Sequence, residues 1–97
     1  MKINGQFDSE TQEFKSSLSE MDKGIMSLTA MLNKSGKGKV YFGVSDDGEV
    51  LGLKNSLGKE TIKKIGTRIA ETVRPVVVPK IYFEEYGRKT IIVVEVE

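Results

Sequence analysis

The sequence predicts an α+β domain, with a mixed or antiparallel β-sheet of two hairpins plus an N-terminal strand packed against two α-helices. Two stretches carry apolar residues at helical spacing: Met21, Ile25, Leu28 and Leu32, then Ile62, Ile65, Ile69 and Val73. Each is followed by paired runs of β-branched and aromatic residues with a Gly-containing turn between them. The resulting order, strand, helix, hairpin, helix, hairpin, gives every apolar sheet segment a helix to cover it. A chain of 97 residues has surface enough to bury for one such domain, spanning 1–97, and not for two.

The opening residues lead into Glu13-Phe14-Lys15, whose alternation fits a strand with Glu13 and Lys15 on one face. Ser17 with Glu20, or Ser19 with Asp22, has capping-box spacing and predicts a helix over about 21–34. Gly24 inside that helix costs up to about 1 kcal/mol relative to Ala, so a close contact or a frayed first turn is expected with it. Ser35-Gly36-Lys37-Gly38 stops the helix, and Val40-Tyr41-Phe42-Gly43-Val44 reads as a buried strand. Asp46-Asp47-Gly48 is turn chemistry with positive φ assigned to Gly48, and Val50-Leu51-Gly52-Leu53 is read as the returning arm. A second helix runs over about 58–73 and ends before Pro75, which disfavours helical backbone at Arg74. Ile81 and Phe83 alternate with Tyr82 and Glu84, Tyr86-Gly87-Arg88 turns, and Thr90 to Val96 closes a second hairpin.

Composition excludes several chemistries. The chain has no cysteine and no histidine, which removes disulfides, thiolate nucleophiles, zinc clusters and imidazole acid–base catalysis. The N-terminus lacks the apolar core of a signal peptide, and no apolar run approaches the roughly 20 residues that span a bilayer. The expected location is cytoplasmic, with no membrane partner. Four phenylalanines, three tyrosines and no tryptophan, with Tyr41 and Phe42 assigned to the sheet, argue against a base-stacking platform.

Net charge is +1, but the charges are segmented. Residues 1–22 hold five acids and two bases, 23–39 hold four lysines and no acid, and 54–74 hold six bases against Glu60 and Glu71. If the two basic segments fold onto one face, they make a positive surface that the net charge conceals.

Within those segments Lys34, Lys37 and Lys39 flank a Gly-rich turn that resembles a phosphate cradle. It leads from a helix into a strand, the reverse of a Walker A loop, so nucleotide hydrolysis is not indicated. A helix stop with solvated lysines is the structural alternative. Lys63, Lys64 and Arg68 line the basic side of the second helix; Lys64 and Arg68 repel each other at i, i+4 spacing unless an anion or a nearby acid neutralises them. Asp8, Glu10 and Glu13, with Asp46 and Asp47 further on, are the carboxylates that could support metal chemistry, which would need Mg²⁺ or Mn²⁺. Mutual neutralisation of Glu13 and Lys15 on one strand face is the competing reading.

The ordered motifs Glu13-Phe14-Lys15, Ala30-Met31-Leu32-Asn33 before a small-residue turn, and Gly43-Val44-Ser45-Asp46-Asp47-Gly48-Glu49-Val50-Leu51-Gly52 resemble the Schlafen/AlbA-like family, once labelled divergent AAA. The resemblance continues through the Ile-rich helix, Arg74-Pro75 and the strand Ile91-Ile92-Val93-Val94-Glu95-Val96. It implies a DNA-binding domain of a transcriptional regulator. Related cores in Schlafens bind tRNA and DNA, and some cleave RNA with three acids. Of that triad Glu13 matches the acid of E-F-K and Asp8 the acid upstream; the third position falls on Ser45, with Asp46 next along. The turn also departs, reading Gly36-Lys37-Gly38 where the family has adjacent glycines. Because the family's usual continuation is missing after Glu97, the chain is expected to be a fragment of a longer protein with downstream domains.

Three functions follow for testing. The first is nucleic-acid binding without a cofactor, DNA being expected over RNA, through Lys34, Lys37, Lys39, Lys63, Lys64 and Arg68. The second is a Mg²⁺- or Mn²⁺-dependent endoribonuclease using Asp8, Glu13 and Asp46. The third is a homodimerising interaction module that pairs through the strand beginning at Thr90, whose apolar edge would be a hazard if left open.

Overall fold

A computed structural model describes residues 2–3, 9–54 and 58–97 of the chain. In chain order its elements are β1 (Gln12–Lys15), a single 3-10 turn (Leu18–Glu20), α1 (Met21–Ser35), β2 (Gly38–Phe42), α2 (Lys59–Thr72), β3 (Lys80–Tyr86) and β4 (Lys89–Val96). The strands form one mixed sheet in the order β1-β2-β4-β3. β1 runs parallel to β2, and β4 is antiparallel to both β2 and β3. This is the α+β class expected, and both helices begin and end within a residue or two of the predicted bounds.

Three local expectations change. The capping box does not form, because the 3-10 turn intervenes and Glu20 caps α1 without a side-chain hydrogen bond; the Glu20 carboxylate instead accepts from the Ser16 hydroxyl at 3.1 Å. The first hairpin shrinks to one bridge, Val44 to Val50, around the Ser45–Gly48 turn with Gly48 at φ 87°. Both sides of β2 are already paired, with β1 and β4, so Leu51–Lys54 cannot continue as a ladder partner. That segment curls back: the Leu51 and Gly52 amides donate to the Gly43 carbonyl at 2.8 and 3.0 Å, and the Leu53 amide donates to Thr90 at 2.9 Å. Finally, β4 is a central strand, so the open edge predicted at Thr90 is paired on both sides, and the edges of the sheet are β1 and β3.

The sheet is buried on both faces. On the helix side Val40, Phe42, Ile92 and Val94 pack with Ile25, Leu28 and Leu32 of α1 and Ile65 and Ile69 of α2. On the other side Phe14, Tyr41, Ile91 and Val93 pack with Ile3, Val44 and Val50, and the Phe14 and Tyr41 rings meet edge to face at 5.5 Å. The unbroken apolar run of β4 is the sequence signal of this double burial. α1 approaches β2 at Gly24, where an added Cβ would lie 2.7 Å from Phe42 Cζ and 3.3 Å from Val40 Cγ1. The helical glycine therefore marks a close contact and not a frayed turn.

Two phenols edge the second face. Tyr82 donates to Glu95 and Tyr86 to Glu84. Burial first, then the hydrogen bond to Glu84, pushes the Tyr86 phenol up to about 12; burial and the bond to Glu95 raise Tyr82 as well.

Gly24→Ala is expected to destabilise the domain by about 1–3 kcal/mol in chemical denaturation, the overpacking term outweighing the helix-propensity gain. Stability equal to the parent would mean that Phe42 can move aside. The Tyr86 contribution is present below about pH 10, where an unfolded phenol begins to ionise, and is lost as pH rises through the folded value. Phenolate absorbance should accordingly show a titration step near pH 12 that Tyr86→Phe removes; loss of a step near pH 10 instead would contradict the raised Tyr86 value.

Candidate nucleic-acid interface

The glycines of the α1–β2 turn serve the backbone. Gly36 adopts φ 76° and its amide donates to the Leu32 carbonyl at 2.9 Å, stopping α1 in the left-handed conformation that glycine tolerates best. Gly38 is buried against Met31, whose Cβ would lie 2.8 Å from an added Cβ. Anion contact at this turn therefore falls to its lysines. Lys34 lies 3.1 Å from Glu10 in a solvent-exposed ion pair, and the Lys39 ammonium sits 5.5 Å from the centre of the Tyr41 ring.

The fold adds a cation that the motifs did not mark. Lys37, Lys39 and Lys80 line one cleft of about 380 Å³ at the end of the sheet, together with Gln12, Glu95 and Glu97. Strand register explains the meeting: Lys39 lies opposite Glu95 across β2–β4, and Glu95 lies opposite Lys80 across β4–β3. The second pairing follows from the hairpin turn at Gly87-Arg88 and was readable locally. The first joins strands from distant parts of the chain and was not.

Lys63, Lys64 and Arg68 lie on the exposed side of α2, opposite Ile65 and Ile69. Arg68 makes a bidentate pair with Asp22 of α1, Nε to Oδ1 at 3.0 Å and Nη2 to Oδ2 at 2.9 Å. Asp22 is thus the acid that relieves the Lys64–Arg68 repulsion. It also locates the basic face of α2 beside the first turn of α1, whereas Lys34 is in the last. Twelve helical residues separate Asp22 from Lys34, about 18 Å along the axis. The turn lysines and the α2 cations are therefore two groups near the two ends of α1, not the single surface expected from charge segmentation.

Among the carboxylates, Glu13 accepts from the Ser27 hydroxyl at 3.1 Å and lies 3.7 Å from the Lys15 ammonium, as the strand alternation suggested. Asp46 is exposed in the turn. Beside it, the Ser45 hydroxyl donates to Asp47 and the Glu49 amide donates to the same carboxylate, and these two bonds, in that order, hold Asp47 below the usual carboxylate range. Asp8 is outside the described residues. Among the described residues no group of three carboxylates is placed to share a metal ion.

The Schlafen, AlbA_2 family model matches residues 8–97. The chain belongs to that family. Among solved structures it is similar to the N-terminal domain of a RecG-related protein from Nitrosomonas europaea, at 22% identity and a TM-score of 0.48, over 88% of this chain and 60% of that one. The chain thus spans less than two thirds of that neighbour. No curated protein matches it.

In this Schlafen, AlbA_2 domain the E-F-K run is β1, with Phe14 in the core and Glu13 and Lys15 turned to the helix side. Ser45 is committed to the turn: its hydroxyl donates to Asp47 and accepts from the Glu49 amide. Glu13 and Ser45 are thus both engaged in contacts within the fold. Among the described residues no helix is long and apolar enough to cross a membrane.

A double-mutant cycle on Arg68→Ala and Asp22→Ala should give a coupling of about 0.5–1 kcal/mol at low salt, shrinking as salt is added. Zero coupling at low salt would show that the pair does not join the helices.

Proposed function

We propose that this domain binds nucleic acid by its phosphates, with the lysines of the α1–β2 turn and Lys80 as principal contacts. The observation that carries the reading is the convergence of Lys37, Lys39 and Lys80 on one cleft, with Lys34 on the helix turn leading into it. Point charges on flexible stems suit sequence-independent phosphate contact. Glu95, which accepts from the Tyr82 hydroxyl, and Glu97 partly offset them in the same lining. Lys63 and Lys64 form a second, separate contact in this proposal, while Arg68 is held mainly by Asp22. Family membership supports the same reading. DNA is the preferred polymer in it, and the setting is a cytoplasmic transcriptional regulator of which this domain is one part.

Fluorescence anisotropy with duplex DNA and with structured RNA tests the proposal. Affinity should fall steeply between low and moderate salt, with a slope of roughly −0.9 per neutralised phosphate on duplex DNA. Joint replacement of Lys37, Lys39 and Lys80 by Glu should weaken duplex binding at least tenfold, on the order expected for losing several phosphate contacts, and Lys63→Glu with Lys64→Glu should have a smaller effect. Unchanged affinity in the triple variant would reject the cleft. Absence of binding to either polymer at low salt would reject the function, and tighter binding of RNA would replace DNA as the partner.

A further inference from the structure

The opposite end of the sheet carries a second basic cleft that no sequence motif marks. There the β3–β4 hairpin turns at Gly87-Arg88, and Leu51–Lys54 is held beside it by the Leu53 amide on Thr90 and by the Lys89 ammonium, which donates to the Val50 carbonyl at 3.2 Å. Between these segments is a cleft of about 450 Å³ whose charged lining is Lys54, Arg88 and Lys89 against Glu85 alone. From Lys89 to Glu95, which borders the first cleft, is six residues of antiparallel strand, about 20 Å. The two sites are therefore distinct.

Phe83 is in the wall of this second cleft. It faces the helix side of β3, in register with Ile92, yet it is 38% exposed. The contrast with its neighbours is informative. Ile81, on the same side of β3, packs against the helix-side core, and Phe14, Tyr41 and Phe42 are all buried. Among the described residues Phe83 is the only exposed aromatic, and it stands where three cations converge. Cations alone would suit any anion. An open aromatic ring beside them suits an anion attached to a planar ring, and stacking adds an attraction that a bare phosphate cannot supply.

We infer that this cleft binds an unpaired nucleotide of a single-stranded nucleic acid, the base stacked on Phe83 and the phosphate held by Lys54 and Arg88. The inference rests on the nucleic-acid reading above and adds a preference to it. In a duplex the base faces are covered by their neighbours, so a stacking wall selects unpaired bases. The cleft also lies near the lower end of the roughly 300–1,000 Å³ range of small-ligand sites, a size for one nucleotide and not for a double helix. Composition argues against a base-stacking platform; the proposal rests instead on a single exposed ring, Phe83.

Three probes test it: a short oligothymidylate, an abasic strand of the same length, and a blunt duplex. The wild-type domain should prefer oligothymidylate to the abasic strand roughly tenfold, the discrimination that one stacked base confers. Phe83→Ala should remove that preference and leave duplex affinity within about twofold, because phosphate contacts dominate duplex binding. Phe83→Trp should keep the preference, and since the natural sequence has no tryptophan, its fluorescence reports on this site alone; oligothymidylate should quench it and the abasic strand should not. Thermal melts of both variants verify folding. An Ala variant that keeps the base preference, or Trp emission that oligothymidylate leaves unchanged, overturns the inference. If the wild type binds duplex but not oligothymidylate, the inference fails and the nucleic-acid reading stands. If it binds none of the three probes, both fail.

Discussion

β2 and β4 lie side by side with Val40, Phe42, Ile91, Ile92, Val93 and Val94 closed to solvent, and much of the molecule is arranged around that burial. Each fully buried aliphatic or aromatic side chain contributes on the order of 1.5–3 kcal/mol relative to exposure, so these six positions tolerate no polar face. The pair therefore needs cover above and below. α1 and α2 supply one layer, while Ile3, Phe14 and the Val44–Val50 bridge supply the other. Gly24 lets α1 come close enough to Phe42 for the first layer to close.

A sheet apolar on both faces has little room for charge along its centre. Its cations gather at the strand ends, where backbone leaves the ladder and side chains reach water. Lys37, Lys39 and Lys80 meet at one end, and Lys54, Arg88 and Lys89 at the other. The charge segmentation of the chain is thus redistributed by topology. Residues from one basic stretch, Lys54 and Lys63, go to a different part of the molecule from the turn lysines, while Lys80, from a stretch of mixed charge, joins them.

The same logic bears on the carboxylates. Glu13 is partly covered beneath α1, and a half-buried carboxylate is best stabilised by partners close at hand; Lys15 and the Ser27 hydroxyl provide them. Ser45 and Asp47 tie down the turn that places Val44 and Val50 over the second face. In this Schlafen, AlbA_2 domain Glu13 and Ser45 are both engaged in contacts within the fold, while Asp46 stays exposed in the turn.

Both helices, β1 and the terminal hairpin were legible from the chain because their signals are local: apolar residues at three- and four-residue intervals, β-branched alternation, and glycine at a helix stop. The family was legible for a related reason, since its motifs mark positions where backbone and packing leave little choice. The tertiary structure alone decided that β2 sits between β1 and β4, and this single non-local fact dissolved the first hairpin, left β1 and β3 as the edges and set Lys39 across Glu95 from Lys80. It also decided that α2 covers Ile81 but leaves Phe83 open. Periodicity reports which side of a strand or helix is apolar; which neighbour covers that side, and how far the cover extends, depends on contacts between segments far apart in the chain.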